Sequence, residues 1–396
     1  MDILNGSKIR IAVVHPRLSW GGSEAAAMWL LEALKINYDV SLITTGKVNI
    51  SSLNKFYGVN LKQKELSIII APTLFLLFGP KKFSAVKGRL LQRYCQKLSP
   101  NFDLMISAYN PINFGKKSIQ FIADFSFDEE IRQKLGLVAR GWRKWYHENN
   151  FARKIYLKIC DWISSVDSEY WKNDFVVANS KWTQIQLQQK YGIEAEIIYP
   201  PVIGSFPIVS HKKRENGFVC IGRITPEKRI DVMINILDEV RKKGYDIHLH
   251  IVGEMDNSRY AEKLKSMCFK NKDWIFMDGK LNEKEKKKLI INNRFGINGC
   301  LSDSFGIAVA EMVKGGCIVF VPNSGGQVEI VNHAALIYRS VEDAVNKIEL
   351  VLRSSTLQKD LLKHLALQGE KFSTEKFKIK IKETINYFFS TKHNYV

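Results

Sequence analysis

Short unbroken apolar runs alternate along this chain with longer stretches in which apolar positions return at helical spacing. "IRIAVV" (Ile9–Val14) reads as a strand. A Gly-containing polar loop follows it, and then "SEAAAMWLLEAL" has the pattern of a helix, with Ser23 as the expected N-cap. "DVSLITT" (Asp39–Thr45) reads as a second strand. The second half repeats the grammar. "GFVCIG" (Gly217–Gly222), "IHLHIVG" (Ile247–Gly253), "DWIFMDG" and "RFGING" read as strands. Between them, "PEKRIDVMINILDEVRKKG", "AEKLKSMC" and "EKEKKKLIIN" read as helices.

Strand–helix alternation in both halves predicts parallel sheets covered by helices, twice over. The Pro-containing polar stretch Tyr199–Asn216 separates the two patterns. The expected organisation is therefore α/β, with two Rossmann-like doubly wound domains at 1–203 and 204–375. A helix at 376–396 is placed to pack back on the first domain. Ligands of such sheets bind outside the carboxyl ends of the strands, which directs attention to a crevice between the domains.

Charge narrows the partners. The chain of 396 residues carries a formal net charge of +19, about +10 in residues 1–200 and +9 in the rest. An even spread fits a folded protein with anionic partners rather than a basic tail. Cys95, Cys160, Cys220, Cys268, Cys300 and Cys317 have no C-x-x-C spacing, which argues against zinc frameworks and a disulfide scaffold and for buried thiols in a reducing compartment. The apolar stretch Leu66–Phe78 holds Pro72 and is short for a bilayer span, and the N-terminus does not read as a signal peptide. A cytosolic, soluble or peripheral protein is expected.

Three loops at strand ends carry candidate chemistry. In "SWGGSE" (Ser19–Glu24), Gly21 and Gly22 either let backbone approach an anion at a helix N-terminus or simply form a turn. In "GRITPEKR", Gly222 precedes Arg223 and Lys228. Two cations beside a helix start suit a diphosphate, although a solvated basic loop has the same composition. In "SDSFGIAVAEM", Asp303 and Glu311 flank Phe305 and a helix entry at Gly306, where the N–H groups of Gly306, Ile307 and Ala308 would face a ligand. Carboxylates suit the hydroxyls of a sugar and a ribose. Gly325 and Gly326 form another tight loop.

In this order, "GGSE", "GR..PEK", the acid-x7-Glu block and "SGG..EIV" resemble retaining glycosyltransferases of family 4, over nearly the whole chain. The resemblance implies the GT-B fold, a nucleotide-sugar donor and no metal or other cofactor. "VVANSKWTQIQLQQKYGIEAEIIYPPV" and "FGIAVAEMVKGG" look most like α-1,2-mannosyltransferases that extend dolichol-linked oligosaccharides with GDP-mannose on the cytosolic face. Carried over, Arg223 and Lys228 would neutralise the leaving diphosphate. Asp303, where the family usually has Glu, would contact the donor sugar. Glu311 would hold the ribose, and Gly22 would lie near the phosphates. The family's first-domain His is replaced by Asp124 of "SIQFIADFSF", which either bonds a sugar hydroxyl or acceptor or caps a turn.

Weaker candidates complete the set. His147 of "WYHENN" reads as a surface or acceptor-site residue, Ser180 as a helix N-cap, and Asn179 beside it as a crevice residue. His248 and His250 share a strand face without partners at metal spacing. From Lys81 to Lys97 there are six Lys or Arg and no acid, and 138–162 mixes cations with aromatic residues. Segments 66–100 and 138–162 are thus expected to dock on an anionic membrane, or to pack their apolar faces into the first domain's core. The competing readings are transfer from a UDP-sugar to another glycan and, in a different class, a basic nucleic-acid-binding protein. A dehydrogenase lacks its dinucleotide fingerprint.

Overall fold

The computed structural model describes residues 8–72, 84–128, 130–131, 155 and 170–392. The stretch 73–83, His147, and 138–162 apart from Ile155 lie outside the described residues. The chain forms two compact units, one made of residues 1–201 and 374–396 and the other of 202–373.

The first unit is built on a parallel seven-stranded sheet. Its strands are β1 (Arg10–Val14), β2 (Asp39–Thr44), β3 (Leu66–Ile70), β4 (Leu104–Ser107), β5 (Ile119–Ile122), β6 (Phe175–Ala178) and β7 (Glu196–Ile197), in the order β3-β2-β1-β4-β5-β6-β7. Residues Ile11 to Val14 are all fully buried, because helices cover both sheet faces and leave no solvent side. That explains an unbroken apolar run where an open sheet would alternate. Four helices belonging to this unit are α1 (Gly22–Leu34), α2 (Ile50–Tyr57), α3 (Ser84–Leu98) and α4 (Lys181–Tyr191).

One local expectation needs correction, and of the two readings of α3 the structure shows core packing. Ser23 does not cap α1. The helix begins at Gly22, and the N-cap position falls to Gly21, whose N–H goes to the Tyr57 hydroxyl at 2.9 Å. Ser23 instead donates to Glu24. The apolar side of α3 is already used, since Leu91 and Cys95 are buried in the cluster of Val14, Met105 and Phe114. Arg93 and Lys97 are left on its exposed side.

The second unit has a parallel six-stranded sheet of β8 (Glu215–Ile221), β9 (His248–Val252), β10 (Ile275–Gly279), β11 (Asn293–Ile297), β12 (Ile318–Pro322) and β13 (Ile337–Tyr338). Its order is β10-β9-β8-β11-β12-β13. This is the doubly wound dinucleotide-fold order, with its switch point between β8 and β11. The equivalent reversal in the first sheet lies between β1 and β4. The helices of the second unit are α5 (Ile230–Lys242), α6 (Arg259–Lys270), α7 (Glu283–Asn292), α8 (Ile307–Lys314), α9 (Gln327–Val331), α10 (Val341–Arg353) and α11 (Ser355–Gly369). The helix expected from Pro226 is interrupted. Pro226–Lys228 is a single 3-10 turn, and Arg229 takes the left-handed conformation (φ 52°) before α5 starts.

The chain then returns to the first unit as α12 (Thr374–Lys392), packed on α1. Phe377, Ile381, Ile385 and Phe388 are all buried, and their helical spacing makes one apolar stripe. Among the described residues no helix is long and apolar enough to cross a membrane. The five described cysteines (Cys95, Cys220, Cys268, Cys300 and Cys317) are buried free thiols.

Candidate active site

At the carboxyl end of β8 the chain needs glycine twice. Gly222 has φ 156°, and a Cβ on Gly253, at the end of β9, would overlap the Gly222 carbonyl oxygen. This tight crossing lets the Lys228 stem lie over Gly222, 3.6 Å from where a Cβ would stand. The Lys228 ammonium then meets the Asp303 carboxylate at 2.8 Å, with both side chains about three-quarters buried (22% and 23% exposed). Burial alone would lower the lysine pKa. The Asp303 charge outweighs it and holds the ammonium protonated well above the usual range, while nearby Arg223 opposes. Arg223 itself is exposed.

Asp303 sits in the loop after β11, and that loop is held from behind. Asn298 Oδ1 accepts from the Cys300 N–H at 2.9 Å, Tyr338 Oη donates to the Asn298 carbonyl at 2.6 Å, and Gly326 N–H donates to the Asp303 carbonyl at 2.8 Å. A side chain on Gly325 or Gly326 would run into the backbone of Asp303–Phe305. The "SGG" pair is therefore explained by close packing against the acid's own loop. Gly306 (φ 99°) turns the chain into α8, whose first turn includes Ile307 and Ala308. Phe305 is buried with its ring edge-on to Phe372, 5.3 Å between centroids, so its side chain packs in the core.

Glu311, in α8, is not an isolated acid. Both of its oxygens accept from Lys286 of α7, at 2.9 and 3.0 Å, and Lys286 also meets Glu283 at 2.9 Å. Burial works against the lysine charge, but the two carboxylates overcome it and keep Lys286 above the ordinary lysine value. Sequence reasoning missed Lys286, because it lies 25 residues away on a different helix. Gly253 and the loop-supporting Asn298 and Tyr338 were missed as well; the glycine at the end of "IHLHIVG" was the available signal.

The first unit has its own polar cluster at the carboxyl end of its sheet. Asp124, after β5, accepts from Asn110 Nδ2 at 2.8 Å, from the Tyr109 hydroxyl at 3.2 Å and from the Ser126 N–H at 2.8 Å. It thus caps a turn and also takes part in a side-chain network. Tyr109, after β4, packs against His15, after β1, with ring centroids 5.6 Å apart. His15 is 3% exposed, and neither ring nitrogen has a hydrogen-bond partner among the described residues. Burial pushes its pKa down to about 4, with the Glu24 carboxylate pulling the other way.

Asn179 ties this end together, donating to the Ala123 carbonyl at 2.8 Å and accepting from Thr183 Oγ1 at 2.7 Å. Ser180 caps α4 by accepting from the Thr183 N–H at 3.0 Å. His248 and His250 do have acidic neighbours, Glu215 at 3.4 Å and Asp278 at 3.0 Å, supplied by adjacent strands. Among the described residues no group of three or more His, Cys, Asp or Glu is placed to hold a metal. A cavity of about 420 Å³ lined by Asp174, Glu194, Glu196 and Glu383 lies at the amino ends of β6 and β7, the opposite end of the sheet from these clusters.

Comparison with known proteins fits this arrangement. The family described as glycosyl transferases group 1 matches residues 205–366. A GDP-Man:Man(3)GlcNAc(2)-PP-Dol alpha-1,2-mannosyltransferase of Candida glabrata is 29% identical over 171 residues, covering 39% of this chain and 34% of the relative. The Eremothecium gossypii protein of the same name is covered over 29% of its length, so the chain matches about a third of these two relatives. The human protein of that name is 22% identical over 96% of this chain and 87% of its own length. Among solved structures, Anabaena Alr3699/HepE in complex with UDP and glucose has a TM-score of 0.66 at 13% identity, covering 96% of this chain and all of that one. WaaG, a glycosyltransferase involved in lipopolysaccharide biosynthesis, has a TM-score of 0.66 at 14% identity, covering 94% of this chain and 99% of its own. The second unit is a group 1 glycosyl transferase domain, and the chain has the GT-B architecture of the solved glycosyltransferases it matches.

Proposed function

We propose that this protein is a retaining glycosyltransferase that moves mannose from GDP-mannose to a lipid-linked oligosaccharide, forming an α-1,2 linkage at the cytosolic face of a membrane. The observation that carries this reading is the Lys228–Asp303 pair at 2.8 Å over Gly222, at the switch point of a group 1 glycosyl transferase domain. The names of the mannosyltransferase relatives support the donor and the acceptor class.

In this reading Lys228 and Arg223 stabilise the diphosphate as the glycosidic bond breaks, aided by the N-terminal turn of α8. Asp303 bonds hydroxyls of the donor sugar and Glu311 those of the ribose. No metal is required, because the cations and helix end supply the charge. Asp124 and its network face the acceptor, and the exposed cations of α3 draw the first unit to anionic lipid.

Thermal shift with GDP, UDP and ADP tests the donor, since a bound nucleotide stabilises by mass action. GDP should raise Tm most; a response to UDP alone would move the reading to a UDP-sugar. Transfer of labelled mannose to lipid-linked Man3GlcNAc2, unchanged by EDTA, tests reaction and metal independence. Failure to bind anionic vesicles at low salt would remove the membrane part.

A further inference from the structure

Trp20 lies in the loop between β1 and α1 and is 51% exposed. A lone exposed tryptophan needs no explanation by itself. This one differs because the backbone on both sides of it is fixed. The Tyr57 hydroxyl accepts from the Gly21 N–H at 2.9 Å and donates to the Ser19 carbonyl at 2.8 Å. Glu24 accepts from the hydroxyls of Ser19 and Ser23, each at 2.8 Å, and its carboxylate stands 2.5 Å from where a Cβ on Gly21 would be. Phe56 lies against the indole at 4.4 Å between centroids with the ring planes tilted by 51°, and Phe56 is braced edge-on by Tyr57 at 4.9 Å. The result is a half-exposed indole set against a second ring on a loop tied by hydrogen bonds on both sides.

The loop belongs to the carboxyl end of the first sheet. Glu24, which anchors it, acts electrostatically on both His15 and Tyr109, and Tyr109 bonds Asp124. A pyranose ring has an apolar C–H face and a rim of hydroxyls, so it needs a flat apolar surface and hydrogen-bonding groups at the same end of a sheet. This end has both. It also carries the carboxylates Glu24 and Asp124, which favour a neutral sugar over the phosphate of a lipid headgroup.

We propose that Trp20 is a stacking platform for a sugar ring of the acceptor saccharide, a specificity-determining contact supplied by the first unit. The proposal rests on the glycosyltransferase reading above, and its test separates the two. With the full chain and saturating GDP-mannose, Trp20→Ala should raise KM for the lipid-linked acceptor about five- to tenfold, the upper part of what one aromatic contact contributes. Trp20→Phe, which keeps a ring, should stay within about threefold of wild type. kcat at saturating acceptor and the Kd for GDP should not change in either variant.

Free α-linked mannotriose is the second probe. Its saturation-transfer NMR signal should weaken in Trp20→Ala and persist in Trp20→Phe. An unchanged acceptor KM in Trp20→Ala overturns the proposal, as does an equal loss in both variants accompanied by a lower Tm. Loss of anionic-vesicle binding with an unchanged KM on detergent-dispersed acceptor overturns it in favour of a membrane anchor. If the wild type transfers no mannose, the functional reading falls, and mannotriose binding insensitive to Trp20→Ala then sinks the platform too.

Discussion

Lys228 and Asp303 pair with each other at 2.8 Å, and this predicts opposite responses when each is removed. At 2.8 Å and an effective dielectric constant near 20, two unit charges attract by about 6 kcal/mol, most of it offset by the cost of taking them out of water. A charge-assisted hydrogen bond is worth roughly 1.5–3 kcal/mol net, so Lys228→Ala should weaken GDP binding about 10- to 150-fold. Asp303→Asn removes the competitor for the same ammonium and a negative charge near the incoming diphosphate. It should leave GDP affinity unchanged or tighten it a few-fold, while slowing mannose transfer if Asp303 holds the donor sugar as proposed. Isothermal titration calorimetry with GDP on both variants, with circular dichroism to confirm the fold, decides the matter. If both variants lose GDP affinity to the same extent, the pair is a structural unit and the division of roles is wrong. Unchanged GDP affinity in Lys228→Ala would equally refute it.

Further outcomes follow from the surroundings of individual residues. Glu311→Gln replaces a charged hydroxyl acceptor by a neutral one, at about 1 kcal/mol, so a wild-type preference for GDP over 2′-deoxy-GDP should shrink about fivefold in competition binding; a preference that survives intact removes the ribose assignment. Gly326→Ala forces a Cβ onto the Ser304 carbonyl and should cost about 1–3 kcal/mol in thermal melts, whereas Gly88→Ala, in α3 with nothing near its Cβ, should gain about 0.5–1 kcal/mol. The unfolded chain protonates histidine near pH 6.5 but folded His15 only near pH 4, so the stability its neutrality confers is complete above about pH 6.5 and falls by up to about 3 kcal/mol toward pH 4. Urea titrations should show His15→Asn with a shallower pH slope than wild type by close to one proton, while His211, also pushed down to about 4, contributes equally to both.

The order of elements was legible because strands covered on both faces write themselves as unbroken apolar runs, as in β1, and amphipathic helices keep their period, as in α5. The loop-to-helix entry at Gly306 was legible for the same reason: a glycine followed by a helical pattern has few other meanings. What escaped was set by residues distant in sequence. Tyr57 takes the N–H of Gly21 across 36 positions, so the capping serine was misplaced. Arg229 adopts a left-handed conformation that its side chain does not advertise, so a single helix was expected where a turn and a helix occur. Phe305 stood beside the site glycine in sequence, yet Phe372 draws its ring into the core. Lys286 had nothing in its lysine-rich helix to single it out until Glu311 was seen in contact with it.

The return of α12 to the first unit bears on how the chain is made. Residues 202–373 are an insertion within that unit, so on the ribosome the stripe of Phe377, Ile381, Ile385 and Phe388 emerges only after the whole second unit. Until then α1 lacks the helix that packs on it, while residues 202–373 are already made. Synthesis from the N-terminus thus runs against the order of completion: the second unit is the first able to finish folding, and the first unit closes last.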